Sequence, residues 1–165
     1  MSPHGRQSPR TRFRRGAAGL IGACAAYQLV LGAYFVVFRP PILPEDLRFL
    51  GATAERLVVV LPRLEPWLDL VFAVLGGQMA ALGVLLAGFA ARLARSRAMD
   101  GHELVLLGLA GLLSVASMSA ANFALESNFR WLLIVPVLAW STGVALAALG
   151  SGAARVDAGK GLHDG

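Results

Sequence analysis

Each of the four long apolar stretches of the chain has a polar residue near its middle: Gln28, Gln78, Ser114 and Ser141. Counted from the ends of their stretches, all four fall near the middle. An amide without a partner in hydrocarbon costs several kcal/mol, so we expect these side chains to face the interior of a helix bundle. One interpretation is a small polar pocket for a ligand or a permeating solute. The other is hydrogen bonding between neighbouring helices.

A second group of polar residues lies near the ends of the apolar stretches: Glu45, Asp46, Asp69, Asn122, Glu126 and Arg130. Carboxylates around the mouth of an apolar bundle could bind a cation, or act as general acid and base. They could also dock one segment of the chain onto another, and the lack of a fixed metal-ligand spacing favours docking. If the third helix persists past Glu126, this carboxylate can pair with Arg130, four residues later.

Residue types missing from the apolar stretches disfavour several kinds of chemistry. All three histidines, His4, His102 and His163, lie outside them, so the sequence offers no bis-histidine haem site between helices. No ionisable Asp, Glu, Lys or Arg lies deep in any stretch, which argues against a proton-coupled pump. We therefore expect no cofactor, metal or catalytic residue. An enzyme acting at the outer rim through Glu126 and Asp69 is the third-ranked hypothesis.

The elements that would carry these residues are transmembrane helices. The chain has 165 residues, of which 56% are hydrophobic and 15% charged, whereas about 25% are charged in soluble domains. Four apolar stretches, 16–38, 68–91, 104–125 and 131–150, are long enough to cross a bilayer core of about 30 Å. They predict an all-α fold, a four-helix transmembrane bundle formed by one membrane domain, 16–150.

The distribution of charge predicts the orientation of the bundle. Ten of the fifteen Lys and Arg residues lie in the two tails and in the link between the second and third spans. By the positive-inside rule, both termini are cytoplasmic and segment 39–67 is outside, in the inner membrane of a bacterium. The tails, 1–15 and 151–165, are expected to be disordered. A basic tail beside a span fits anionic lipid better than nucleic acid.

Segment 39–67 is predicted to be structured. Pro40 and Pro41 end the first span. The stretch from Pro44 to Gly51 has a proline, two acidic residues and a final glycine, which are typical of a short helix. Thr53 can cap a second helix that ends near Leu61. We therefore expect two short interfacial helices in this first extracytoplasmic segment.

Residues 40–51, PPILPEDLRFLG, and residues 122–133, NFALESNFRWLL, resemble a family of four-span bacterial inner-membrane proteins with which no activity is associated. The layout is also loosely similar to that of DoxX-like four-helix membrane proteins. The resemblance implies four helices and a structured first outer segment. It implies no cofactor and no site residue.

The sequence thus favours a structural or accessory membrane protein that binds lipid or a membrane protein partner. Faces rich in glycine and alanine would support association with a second copy of the chain. The alternative is a small transporter or channel-like protein that uses the mid-depth polar residues.

Overall fold

The computed structural model describes residues 8–95 and 97–160, with the backbone alone described for 152–160. Helices dominate this part of the chain, and no strand occurs in it. In chain order the helices are α1 (Pro9–Val37), α2 (Pro44–Leu50), α3 (Ala54–Val60), α4 (Leu64–Ala94), α5 (Gly101–Gly111), a π-helical segment (Leu112–Ala116), α6 (Ser117–Ala124) and α7 (Ile134–Lys160). The prediction of an all-α fold is confirmed.

Four helical stretches are long and apolar enough to cross a membrane: Pro9–Val37, Leu64–Ala94, Gly101–Ala124 and Ile134–Ser151. The third runs continuously through α5, the π-helical segment and α6, and is called span three below. Mean hydropathy in the most apolar window of each stretch is 1.7 to 2.2. Only 17–28% of each window is buried, so most of this apolar surface is uncovered in the single chain. The pattern is that of a multi-pass membrane protein.

α1 is the central helix of the arrangement. It packs along α4 and along α7, while span three packs mainly against α7. Its buried residues, Ala17, Ile21, Cys24, Ala25 and Gln28, recur every three or four positions and therefore form one face. The end of the molecule with Pro9, Ala94 and Gly101 is called the tail end. The opposite end, with Val37, Leu64 and Ala124, is called the loop end.

Glycines bring α1 and α4 into backbone contact. A Cβ added to Gly32 would lie 2.6 Å from the carbonyl oxygen of Gly76, and a Cβ added to Gly76 would lie 2.6 Å from that of Gly32. Two turns further along α4, a Cβ at Gly83 would lie 3.0 Å from the carbonyl oxygen of Ala25. Small residues let transmembrane helices approach closely, so this contact depends on glycine.

Both tails contain more helix than the sequence predicts. α1 begins at Pro9, so 9–15 are helical, and α7 continues to Lys160. Proline suits the first turn of α1 because its missing N–H would have no partner there. The guanidinium of Arg14 donates to the carbonyl of Gly150 at 2.9 and 3.1 Å, which joins the start of α1 to α7. The rest of the predicted disordered tails lies outside the described residues.

The turn between span three and α7 is longer than expected. Glu126 has φ 50, in the left-handed region, and the helix ends before it at Ala124. α7 begins at Ile134 rather than at Trp131. A start at Trp131 would put Pro136 in the helix interior, where proline costs about 3 kcal/mol, whereas a start at Ile134 puts it in the first turn.

The outer segment forms the two short helices that the sequence predicts. In α2, the backbone N–H of Leu43 donates to Asp46, and Gly51 ends the helix with φ 61. In α3, Thr53 accepts from the N–H of Arg56 at 3.3 Å. Local capping chemistry therefore determines both helices, and their position at a membrane interface stays a prediction.

The α1–α4 contact generates a stability prediction. We expect Gly32→Ala to lower the unfolding free energy in mild detergent by about 1–3 kcal/mol, because the added methyl group overpacks a backbone contact. Gly19→Ala, in the same helix, is the matched control, since a Cβ there meets no described atom within 4 Å. Equal unfolding midpoints for the two variants would contradict the contact.

Candidate functional site

Gln28 is the buried polar residue at the centre of α1. Its side chain is 1% exposed, and its Oε1 has no hydrogen-bond partner among the described residues. One turn towards the tail end, the thiol of Cys24 faces the carbonyl oxygen of Pro136 at 3.8 Å, so this face of α1 looks towards α7. An unsatisfied buried acceptor costs about 1–3 kcal/mol, which makes Gln28 the polar group whose presence most needs an explanation.

The four mid-depth residues do not form one layer. Ser114 is half-buried and donates to the carbonyl of Ala110 at 2.6 Å, within its own helix. Ser141 is exposed and donates to Leu138 at 3.1 Å. Gln78 is also exposed. The expectation that all four face the interior is therefore wrong for Gln78 and Ser141 in the single chain. Serine hydroxyls can bond to the preceding turn of their own helix, so depth alone does not determine their direction.

Gln78 lies on an uncovered side of α4. This open face consists of residues three or four positions apart: Val74, Gly77, Gln78, Ala81, Leu85 and Gly88. Val74 is 65% exposed and Leu85 is 63% exposed, and a Cβ at Gly77 or Gly88 would meet no described atom within 4 Å. The open face is distinct from the face of Gly76 and Gly83, which packs on α1. α4 thus has two glycine faces, one occupied and one vacant.

At the loop end, Arg39 joins the outer segment to the spans. Its side chain is 11% exposed and its Cζ lies 3.4 Å from the ring centroid of Phe72 and 5.2 Å from that of Phe35. Its Nη2 lies 3.7 Å from Asp46 Oδ2. Burial lowers the pKa of Arg39, and nearby Asp46, Tyr34 and Glu45 oppose that change. The guanidinium stays charged, so it acts as a cation held between two aromatic rings.

A second contact docks α2 on the turn after span three. Glu45 is 7% exposed and Ser127 is 1% exposed, and the hydroxyl of Ser127 donates to Glu45 Oε1 at 3.3 Å. These residues are 82 positions apart. No local sequence pattern indicates a role for Ser127, because its partner is so distant in the chain. The contact supports the docking interpretation of the outer-rim carboxylates.

The remaining outer-rim candidates do not converge on one site. Asp69 and Glu126 are exposed, and Asn122 donates to Met118 of its own helix at 3.0 Å. No ion pair joins Glu126 to Arg130 within the described ranges, because the left-handed turn at Glu126 interrupts the helix that the pairing requires. Within the same ranges, no three His, Cys, Asp or Glu side chains are grouped closely enough to hold a metal ion.

Span three contains a further contact that the sequence did not reveal. Trp140 of α7 donates from its indole nitrogen to the carbonyl of Leu107 at 3.3 Å, and its ring occupies the space where a Cβ of Gly111 would lie. The π-helical segment begins directly after Gly111. The serine hydroxyl of Ser117 donates to Leu113 at 2.7 Å. The polar residues of this span are thus largely engaged with its own backbone.

Comparison with known proteins does not identify a family for this chain. No protein-family model matches the chain, and no curated protein or solved structure matches it. The family resemblance of the two sequence segments therefore stays a prediction, and function has to be argued from the residues themselves.

The docking contact generates a prediction about the outer segment. We expect Ser127→Ala to speed amide hydrogen exchange in 44–50 by about tenfold, because the buried carboxylate of Glu45 loses its donor and local opening becomes easier. Asn128→Ala, an exposed neighbour in the same turn, should leave exchange unchanged. Wild-type exchange in the Ser127→Ala protein would show that the contact does not hold α2.

Proposed function

We propose that the protein is an accessory multi-pass membrane protein that binds a transmembrane helix of a partner through the open face of α4. The observation that carries this proposal is Gln78, an exposed amide in the middle of a candidate span. Its side chain makes no hydrogen bond within the described part of the chain, where Ser114 and Ser141 at similar depth each make one. Hydrocarbon supplies no donor or acceptor, so a facing helix is the available source.

The small residues beside Gln78 make such an approach possible. Gly77 and Ala81 are four positions apart, which is the spacing at which small residues let helices pack closely in membranes. Gly88 lies on the same face, nearer the tail end. A Cβ at Gly77 or Gly88 would meet no described atom within 4 Å, so a partner helix has room to approach both positions. Packing would supply most of the affinity, since a hydrogen bond between helices contributes only about 0.6 kcal/mol on average.

The partner that fits the open face is a second copy of the chain. An amide both donates and accepts, so two Gln78 side chains can satisfy each other across a two-fold axis. Two copies inserted in the same orientation place these amides at the same depth. We propose that both termini are cytoplasmic, as the excess of arginine at the tail end favours, and that the membrane is the inner membrane of a bacterium.

The outer segment completes the proposed placement in the membrane. Val59 is 82% exposed in α3, Phe49 is 65% exposed in α2, and Trp67 is 59% exposed at the start of α4. Aromatic and apolar side chains of this kind suit the headgroup boundary, where Trp is enriched. We propose that α2 and α3 lie in that boundary, held by Arg39 and Glu45.

Cysteine cross-linking tests the association. Cys24 is the single cysteine of the chain, so Cys24→Ala provides a background without thiols. In that background we expect Ala81→Cys to form cross-linked dimers in native membranes several times more efficiently than Leu113→Cys, which is 74% exposed on span three. Gln78→Met, which keeps length but removes the amide, should weaken dimerisation about sevenfold, as expected for two hydrogen bonds of about 0.6 kcal/mol each.

The same experiment can refute the proposed face. Equal cross-linking at Ala81 and Leu113 would show that α4 has no special role. Cross-links from Ala81→Cys to a different protein, with none between two copies of the chain, would show that the partner is that protein and not a second copy.

A small carrier is the second candidate, and Gln28 is the observation that favours it. A 99% buried amide with an unpartnered Oε1 could accept a hydrogen bond from a small polar solute. The carrier hypothesis predicts that liposomes containing the protein take up urea or glycerol faster than empty liposomes. Gln28→Leu should then return uptake to the empty-liposome rate, while Gln78→Met should not. Equal uptake with and without protein would eliminate this candidate.

A further inference from the structure

A groove lies at the loop end, where the chain turns from α3 into α4. Its volume is about 550 Å³ and it is lined by Val60, Leu61, Pro62, Arg63, Leu64 and Trp67. Backbone hydrogen bonds hold this turn: the N–H of Leu61 donates to Leu57 at 2.7 Å, and the N–H of Leu64 donates to Leu61 at 3.0 Å. The groove is therefore formed by a short, hydrogen-bonded connection between two helices.

Arg63 is the single charged residue in the wall of the groove. Its side chain is exposed, and its guanidinium makes no hydrogen bond or ion pair within the described ranges. Glu65, the nearest acidic residue in the sequence, lines an adjoining crevice of about 60 Å³ together with Ile42 and Leu57. The wall of the groove thus carries an available cation and no carboxylate.

Trp67 provides a second donor without a partner. Its indole N–H makes no hydrogen bond in the described part of the chain, whereas the indole of Trp140 donates to Leu107 at 3.3 Å. Trp67 is 59% exposed and Val60 is 65% exposed, so the apolar part of the wall is also uncovered. The groove therefore offers two hydrogen-bond donors next to an apolar surface.

The position of the groove at the start of a candidate span indicates which ligand can fill it. Arg63 directly precedes α4, and Trp67 lies in the first turn of that helix. Tryptophan is enriched at the depth of lipid headgroups, and arginine keeps its charge there while its methylene groups cover apolar surface. The open face of α4 begins at Val74, seven residues and about 10 Å further along the helix, so the groove is a separate surface.

We infer that this groove binds a glycerophospholipid, with the phosphate at Arg63 and Trp67 and an acyl chain along the apolar wall. An arginine can bind a phosphate through two parallel N–H donors, and the indole contributes one more. A soluble phosphate ester would leave the apolar wall uncovered, and a purely apolar ligand would leave both donors without an acceptor. The inference rests on the proposed placement of the outer segment at the membrane boundary, but does not require association through α4.

Native mass spectrometry of the full chain in mild detergent tests the phosphate seat. The probes are dioleoyl phosphatidylglycerol and dioleoylglycerol, which share their acyl chains and differ in the phosphate headgroup. We expect the phospholipid to bind about tenfold more tightly, and Arg63→Gln to remove this difference, which corresponds to about 1.4 kcal/mol. Arg63→Lys should retain part of it. Arg48→Gln, which removes an exposed charge from α2 in the same outer segment, is the matched control and should have no effect.

Trp67→Ala tests the apolar wall. It should weaken binding of both lipids several-fold, because the ring supplies much of the surface for the chain. Trp131→Ala, which removes a tryptophan that is 67% exposed in the other turn at the loop end, should weaken neither. Glycerol 3-phosphate in excess should not displace the phospholipid, because it has the phosphate but no acyl chain.

Three results would overturn the inference: equal retention of the two lipids, equal effects of Arg63→Gln and Arg48→Gln, or displacement by glycerol 3-phosphate. Arg63 and Trp67 are exposed, so their variants should keep the wild-type unfolding midpoint, and a loss of binding then reports on the groove itself. Gln78→Met separates the groove from the proposed association. Loss of dimers with unchanged phospholipid binding would leave the lipid site standing, and the reverse would leave the association standing.

Discussion

The backbone contact between α1 and α4 determines much of the remaining structure. Gly32 and Gly76 lie against each other's carbonyl groups, and Gly83 lies against Ala25. Because a helix turns by about 100° per residue, the use of Gly76 and Gly83 in this contact directs Gly77 and Gly88 to a different side of α4. The same contact turns the face of Cys24 and Gln28 towards α7 and away from the surface. One close approach therefore both buries one mid-depth glutamine and leaves the other uncovered.

The two ends of the α1–α4 pair differ in how their helices pack. At the loop end the helices stay together, so the ring centroids of Phe35 and Phe72 lie 5.9 Å apart. Arg39, two residues after the end of α1, packs against both rings. The outer segment is thereby held close to the helices from which it emerges, and Glu45 can reach Ser127. At the tail end Ala17 and Leu93 are buried in the core, and an open groove lined by Arg15, Gly19 and Ala91 lies beside the two helices. A cation is thus held by aromatic rings at one end, whereas at the other end a cation borders an apolar groove.

The sequence predicts the elements of this fold well, because local physics determines them. Length and apolarity identify the four spans. Proline, acidic residues and glycine locate α2, and the cap at Thr53 locates α3, each within a residue or two. Direction around a helix is harder to obtain, since a shift of a single residue separates Gly76, which is buried, from Gly77, which is open. The depth of Gln78 and Ser141 in their spans follows from their positions in the sequence, but depth does not determine that angle. The sequence does not predict the contact of Ser127, because its partner Glu45 is distant in the chain. The left-handed turn at Glu126 is not predicted either, because no glycine stands at that position.

The mid-depth polar residues finally divide into two kinds. Ser114 and Ser141 satisfy their hydroxyls on the carbonyls of their own helices, so they make no demand on the surroundings. A glutamine side chain is longer and carries both donors and an acceptor, which the backbone of its own helix does not satisfy at either position. For Gln78, which is exposed, the missing partner can be as large as another helix. Gln28 is enclosed by α1 and its neighbours, so another helix cannot reach its unpartnered Oε1. Association through α4 and a polar function at Gln28 therefore address separate groups, and neither excludes the other.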